Sequence, residues 1–183
     1  RGVTLMEWTD EGVVLTTRRQ GETSAVVTLL THRHGRHAGL VRGGGGRAHR
    51  AILQPGNRVH VRWAARLEDQ LGVFRCELIR ADAASLLVDK ERLAALATAC
   101  TIVMTMLPER DPCPELYADF TTLLETLAID HPDWRGRYVH WELALLTVLG
   151  YGLDLGHRAG KGGNDDLAYV SPRTGRAVSA SEG

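Results

Sequence analysis

The chain has 183 residues, 44% hydrophobic and 24% charged, a composition that suits a soluble globular protein with one medium core or two small ones and excludes disorder as the default. Its 22 basic and 22 acidic residues cancel, yet they are segregated: residues 1–80 carry 13 Arg and no Lys against 7 acids, and residues 81–157 carry 5 basic side chains against 12 acidic ones. A charge step of that size points to two parts with different partners, one basic and one acidic.

No charged-then-apolar leader opens the chain. Its longest apolar-rich helical stretch, Leu93 to Leu107, is interrupted by Thr98, Thr101 and Thr105 and is too short to cross a bilayer, so a cytoplasmic protein without membrane contact is expected. Cys76, Cys100 and Cys113 form no C-x-x-C pair, which suits reduced thiols rather than a disulfide framework. Met6-Glu7-Trp8 reads as a natural start behind an extension from Arg1 to Leu5. Ser179 to Gly183 stops on small polar residues, so a C-terminal segment is expected to be missing.

From Gly12 to Asp82 the signal has period two. Thr23 to Leu30 is a run rich in β-branched residues that ends at the turn signal His32-Arg33-His34-Gly35, and Ala38 to Arg42 completes a hairpin. Val59, Val61 and Trp63 alternate with His60 and Arg62, and Phe74, Cys76 and Leu78 alternate with Arg75 and Glu77. Gln54-Pro55-Gly56-Asn57 is turn chemistry. About five short strands in some 70 residues bury a sheet face only by curling on themselves, so a small closed barrel of the OB type is expected.

Between Glu22 and Glu68 lie 45 residues with no Asp or Glu and eight arginines. Alternation places Arg58, His60 and Arg62 outside. The segment Gly43-Gly44-Gly45-Gly46-Arg47-Ala48-His49-Arg50 reads as a flexible basic loop whose backbone N–H groups can approach an oxyanion. The candidate phosphate-contacting set is Arg18, Arg19, Arg36, Arg42, Arg47, Arg50, Arg58 and Arg62. Trp63 and Phe74 read as core rather than base-stacking rings, so binding would lean on phosphate charge and tolerate any sequence.

After Asp82 the period becomes helical. Leu93, Leu96, Ala97, Cys100, Met104 and Leu107 share one face, with Asp89 as the cap and Pro108 as the stop. A second helix opens at Pro114 and repeats Leu116, Phe120, Leu123, Leu124 and Leu127. A third begins near Pro132 and carries Tyr138, Trp141, Leu145, Leu146 and Leu149, with Gly150 and Gly152 as its stop. Arg135, Arg137 and His140 put local positive charge beside apolar side chains on this helix, a combination that suits a short acidic peptide with a hydrophobic end. The overall expectation is an α+β chain, an OB-fold barrel over residues 6–81 and a helical domain with a terminal hairpin-like segment over residues 82–183.

The segment Trp141-Glu142-Leu143-Ala144-Leu145-Leu146-Thr147-Val148-Leu149-Gly150-Tyr151-Gly152 resembles the RecO family of recombination-mediator DNA repair proteins. Gly21-Glu22-Thr23-Ser24, Leu40-Val41-Arg42-Gly43 with Leu53-Gln54-Pro55, and Asp166 to Gly175 as a following hairpin fit the same family, so the likeness spans most of Met6 to Ser179. The resemblance implies an OB domain that binds single- and double-stranded DNA, a helical domain and no catalytic site, in the bacterial cytoplasm with the nucleoid. It also implies strand annealing, loading of RecA with the partner RecR, and binding of the acidic tail of single-strand-binding protein at the helical domain, here at Arg137, His140 and Leu143.

This chain departs from the family in three ways. Arg158 stands where many relatives have a cysteine and the paired cysteines of zinc-bearing members are absent, so neither metal nor cofactor is expected; the helical tail after the hairpin is missing; and two positions that can be basic in the family are Val139 and His140, where Arg137 could substitute.

Competing readings are an RNA-binding OB accessory factor and a metal-dependent nuclease. His32, His34 and His37 have metal-compatible spacing, but no carboxylate or thiol in that window completes a site, and a turn is the expectation. Gly43 to Gly46 lacks the G-K-[ST] of a P-loop, no G-x-S-x-G elbow occurs, and Asp165-Asp166, the closest candidate carboxylate pair, lies in a Gly-rich connection.

Overall fold

The computed structural model of the protein describes residues 5–158, 167–170 and 175–179. Asp165-Asp166, residues 171–174 of the expected hairpin and residues 1–4 of the expected extension lie outside the described residues. By internal contacts the chain divides into two compact units, one ending at Tyr138 and one beginning at Val139.

In the first unit, β1 (Met6–Gln20), β2 (Ser24–Thr31), β3 (Gly35–Val41), β4 (Arg58–Ala65) and β5 (Val73–Arg80) close into a barrel of order β1-β2-β3-β5-β4. The expected α+β architecture of an OB-like barrel followed by helices is the one present. Closure depends on β1, which pairs with β4 from Met6 to Val13 and with β2 from Gly12 to Gln20, antiparallel to both. A register shift between Val14 and Thr16 bends the strand between its two partners. The consecutive residues Val13, Val14 and Leu15 are all buried, because the bent strand is covered on both faces. The last seam is a parallel contact at Leu40 and Val73, with the Leu40 N–H donating to Gly72 O at 3.0 Å. Val27, Leu29, Val59, Val61, Trp63 and Phe74 fill the interior. Their alternation with exposed His60, Arg62 and Arg75 is the period-two pattern read from the sequence.

The segment expected as a flexible basic loop is instead a turn followed by helix α1 (Arg47–Ile52). Its anchor is Leu53, 1% exposed, whose carbonyl accepts the Thr17 hydroxyl at 2.7 Å. Asn57 fastens the helix end from the other side, its amide donating to Ala51 O and Ile52 O while its Oδ1 accepts Ala83 N–H.

The short α2 (Asp82–Leu86), α3 (Lys90–Met106) and α4 (Pro114–Ala128) belong to this unit, and α5 (Trp134–Val148) contains the point of division. Asp89 caps α3 as expected, accepting the N–H groups of Glu91 and Arg92 at 3.0 Å each. The expected apolar face of α4 is buried in full at Leu116, Phe120, Leu123, Leu124 and Leu127.

The buried face of α3 differs from the expected stripe. Leu93 and Ala97 are exposed, and Arg92, Leu96, Ala99, Cys100 and Val103 face inward. The helix is turned because Arg92, only 6% exposed, donates to Leu127 O at 2.7 Å, placing its charge at the C-terminal end of α4 where the helix dipole favours a cation. Asp89 and Asp130 complete its neutralisation.

In the second unit, Trp141 and Leu145 are the buried positions of α5, and β6 (Asp154–Arg158), β7 (Leu167–Val170) and β8 (Arg176–Ser179) form a sheet of order β6-β8-β7. β7 and β8 are antiparallel. Among the described residues no helix is long and apolar enough to cross a membrane.

Candidate nucleic-acid interface

The register of the barrel decides which arginines stand together. Arg62 on β4 is the partner of Arg75 on β5, so both side chains leave the same outer face next to one another. Arg42 follows the end of β3 and Arg66 the end of β4, and all four line one groove of about 470 Å³. Leu5, Ala64, Ala65 and Val73 give it an aliphatic floor, and among the described residues Glu7 is its one carboxylate, paired with Arg62. Such a channel presents guanidinium donors in the planar fork that matches phosphate oxygens.

A second basic region is built around the glycine turn. The N–H groups of Gly44, Gly45 and Gly46 donate to Val41 O, Thr23 O and Gly43 O at 3.2, 3.0 and 2.9 Å. These three N–H groups are therefore committed inside the protein and do not face an oxyanion. What the glycines provide is close approach: Gly43 has φ +72°, and a Cβ on Gly44 would stand 2.9 Å from Ala25 Cβ and Val41 O. The bond from Gly45 to Thr23 ties this turn to the β1–β2 turn. It brings exposed Arg47 and Arg50 of α1 into the same neighbourhood as exposed Arg18 and Arg19 at the end of β1. Arg19 Nη2 donates to Glu22 O at 3.0 Å, and Arg50 reaches Gly45 O at 3.3 Å through Nη2.

Of the eight arginines expected to contact phosphate, Arg18, Arg19, Arg42, Arg47, Arg50 and Arg62 are exposed. The other two are held inside the protein. Arg58 pairs with Asp82 and Glu125 at 3.0 Å each, and Arg36 donates to Leu107 O at 2.9 Å and pairs with Glu109 at 3.2 Å. Alternation placed Arg58 outside, but the helices supply carboxylates that cover it. Arg66 and Arg75 are the groove residues that the expected set lacked. The alternation of Arg75 with Phe74 and Cys76 was visible, whereas its placement opposite Arg62 depends on strand register.

His32 and His34 of the β2–β3 turn and His37 on β3 go to different partners. His32 packs against Tyr117, His34 Nδ1 lies 3.0 Å from Asp10 Oδ2, and His37 Nδ1 lies 3.0 Å from Ala38 O. Sequence spacing missed Asp10, which arrives from β1 and also accepts the Arg33 N–H at 2.7 Å, pinning the turn. Among the described residues no group of three His, Cys, Asp or Glu side chains converges as a metal site would require. Burial pushes the thiols of Cys76 and Cys100 up to about 12, which keeps them protonated at neutral pH.

On α5, Arg137 and His140 are exposed and Leu143 is half-buried. Arg135 pairs with Glu91 and lies over the ring of Trp134 at 4.5 Å.

Residues 6–81 match the family description "Recombination protein O N terminal", and residues 87–183 match "Recombination protein O C terminal". The chain is 54% identical over 180 residues to the DNA repair protein RecO of Rhodospirillum centenum, covering 97% of this chain and 71% of that protein. It is 49% identical over 183 residues to the RecO of Rhodospirillum rubrum, with 98% and 73% covered, and 47% identical over 175 residues to that of Dinoroseobacter shibae, with 96% and 72% covered. Matched along both halves and at this identity, the chain belongs to the RecO family of recombination and DNA repair proteins.

Proposed function

We propose that this protein is a recombination mediator that holds DNA by its backbone on the barrel, residues 6–81, and promotes pairing of complementary strands. One observation carries the reading: Arg62 and Arg75 are directly opposed across β4 and β5, with Glu7 as the single carboxylate among the described residues of their groove. Like charges opposite one another on a sheet are destabilising, and a phosphate between them removes the repulsion. The contact is with the sugar-phosphate chain, so single and double strands of any sequence are accepted. Neutralising phosphates on two strands also lowers the repulsion that opposes their annealing, a step in which no covalent bond is made or broken.

In keeping with the family, the further step of this reading is the loading of RecA, with RecR, onto DNA coated by single-strand-binding protein. Arg137, His140 and Leu143 on α5 support a place for the acidic tail of single-strand-binding protein: two exposed basic groups lie beside a half-buried apolar one.

The test is fluorescence anisotropy of the full chain with a labelled oligonucleotide over a salt series. About five arginine contacts to single-stranded DNA give a slope of log affinity against log salt of roughly −3.5, or about a hundredfold loss between about 50 and 200 mM salt. Annealing of complementary strands without divalent metal should accompany it. A slope near zero would remove the phosphate mechanism, and a preference for RNA that survives high salt would favour an RNA accessory role. For the tail, a labelled acidic peptide should bind saturably at low salt and lose affinity on Arg137→Glu; no saturable binding rejects that part.

A further inference from the structure

The rings of the barrel form a column that runs from core to surface. Trp63, 2% exposed, stacks on Trp8 at 5.6 Å and 18°, and Trp8 stacks on His34 at 4.0 Å and 7°. The His34 side chain is 31% exposed, and among the described residues the column ends there. Since Trp8 covers one face of the imidazole, its exposure belongs to the other face and the edge.

The ring is also held in place. Its Nδ1 lies 3.0 Å from Asp10 Oδ2, and its own backbone N–H donates to Thr31 Oγ1 at 3.1 Å. A cavity of about 320 Å³ beside the column is lined by Trp8, His34 and His37 and also by Arg33 and Arg110. Glu7 lines both this cavity and the basic groove, so the two adjoin across the first residues of β1.

We propose that His34 is a stacking platform for one unpaired nucleobase of a single strand held in the adjoining groove, an assignment that rests on the polynucleotide reading given above. The base adds the next ring to the Trp63, Trp8 and His34 column, and exposed Arg33 receives its phosphate, while Arg110 donates to the carbonyls of Glu68 and Gln70 and holds the far wall of the cavity. Nucleobases stack on aromatic faces of any kind, and a ring already fixed by Asp10 and Trp8 loses little freedom when it does so. In a duplex both faces of each base are already taken, so this contact strengthens single-strand binding alone. The stacked face takes no phosphate and the arginines stay in place when the His34 ring is removed, so the stacking shifts affinity without changing the salt slope.

The experiment compares the full chain with His34→Ala and His34→Phe on a single strand of mixed sequence and on the matching duplex, over a salt series. His34→Ala is expected to weaken single-strand binding about tenfold at every salt concentration, in parallel with the unaltered protein, and to leave duplex binding unchanged. His34→Phe, which keeps a ring and loses the Asp10 contact, is expected to retain the affinity. A single strand carrying 2-aminopurine between thymidines should lose fluorescence on binding the unaltered chain.

Equal loss on single strand and duplex, no loss with His34→Ala, or the same loss with His34→Phe overturns the platform. If His34→Ala fails to fold, His34→Phe and the 2-aminopurine signal decide, and absence of quenching overturns it. An indifferent His34→Ala beside an intact salt slope sinks the platform alone. A salt slope near zero in the unaltered chain sinks the groove reading and the platform with it.

Discussion

Arg62 and Arg75 are cross-strand partners on β4 and β5, and further along the same ladder Arg58 is the partner of Arg80. The two pairs have opposite electrostatic surroundings. Asp82 and Glu125 each contact both Arg58 and Arg80, whereas among the described residues the Arg62 and Arg75 pair has Glu7 alone, held by Arg62. The first pair is a fastening between the barrel and its helices. The second is a charge excess left facing water, and its removal has a signature that follows from this. Arg75→Ala should make the salt slope for single-stranded DNA shallower by about 0.7, the value of one phosphate contact, while the thermal midpoint stays level or rises. A salt titration and a melt on the same variant check both halves of that statement.

Arg58→Ala should behave in the opposite way. Asp82, 2% exposed at its side chain, would lose the Arg58 Nε donor at 3.0 Å and depend on Arg80 alone. Leaving a buried carboxylate short of a charged partner costs about 2 kcal/mol, read as a lower urea midpoint with an unchanged denaturant slope. The DNA salt slope should not change. If it became shallower by one contact, Arg58 would belong to the interface after all.

Which features the sequence disclosed follows from the range over which each is determined. The alternation of Val59 to Trp63 and the Leu116 to Leu127 stripe of α4 are local and were legible, as were the Asp89 cap and the β2–β3 turn. The first half of β1 was not, because Glu7, Asp10 and Glu11 interrupt any simple alternation in a strand that changes partners at Gly12. On α3, Leu96, Cys100 and Leu107 are buried as expected, whereas Leu93 and Ala97 are exposed and Arg92 is buried instead, because Arg92 is apolar in no scale yet satisfies a helix end on α4. At the interface, charge density was visible in the missing acids between Glu22 and Glu68. The sorting of those arginines into free and neutralised ones depended on Asp82, Glu109 and Glu125, which lie far along the chain.

The glycine turn offers a test of whether its backbone is a connector or a fitted part. A methyl group on Gly44 would meet Ala25 Cβ and Val41 O at 2.9 Å, with β2 on one side and the end of β3 on the other. Both are barrel backbone or core, and neither gives way without moving strands. Gly44→Ala is therefore expected to lower stability by about 1–3 kcal/mol and to weaken DNA binding by displacing Arg42 and Arg47 together. Urea unfolding and anisotropy measured on the same preparation check it; a neutral outcome would restore the mobile-loop reading.

His37 gives the fold a dependence on pH that is separate from DNA contact. It is 4% exposed, surrounded by the rings of Trp8, Trp63 and Phe74, and its pKa lies below the ordinary 6.5 chiefly because burial disfavours the charged imidazolium. The hydrogen bond to Ala38 O opposes that shift, and the Arg110 charge adds to it. Because the folded value is depressed, the unfolded chain takes up a proton first as pH falls through 6.5, and stability declines from there until the folded pKa is reached. Above 6.5 the contribution is constant. Melting curves taken from neutral to mildly acidic pH should show a falling midpoint below that value, and His37→Phe, which keeps a ring among rings but cannot titrate, should flatten it. A midpoint equally steep in the variant would assign the acid sensitivity to other groups and leave His37 as packing alone.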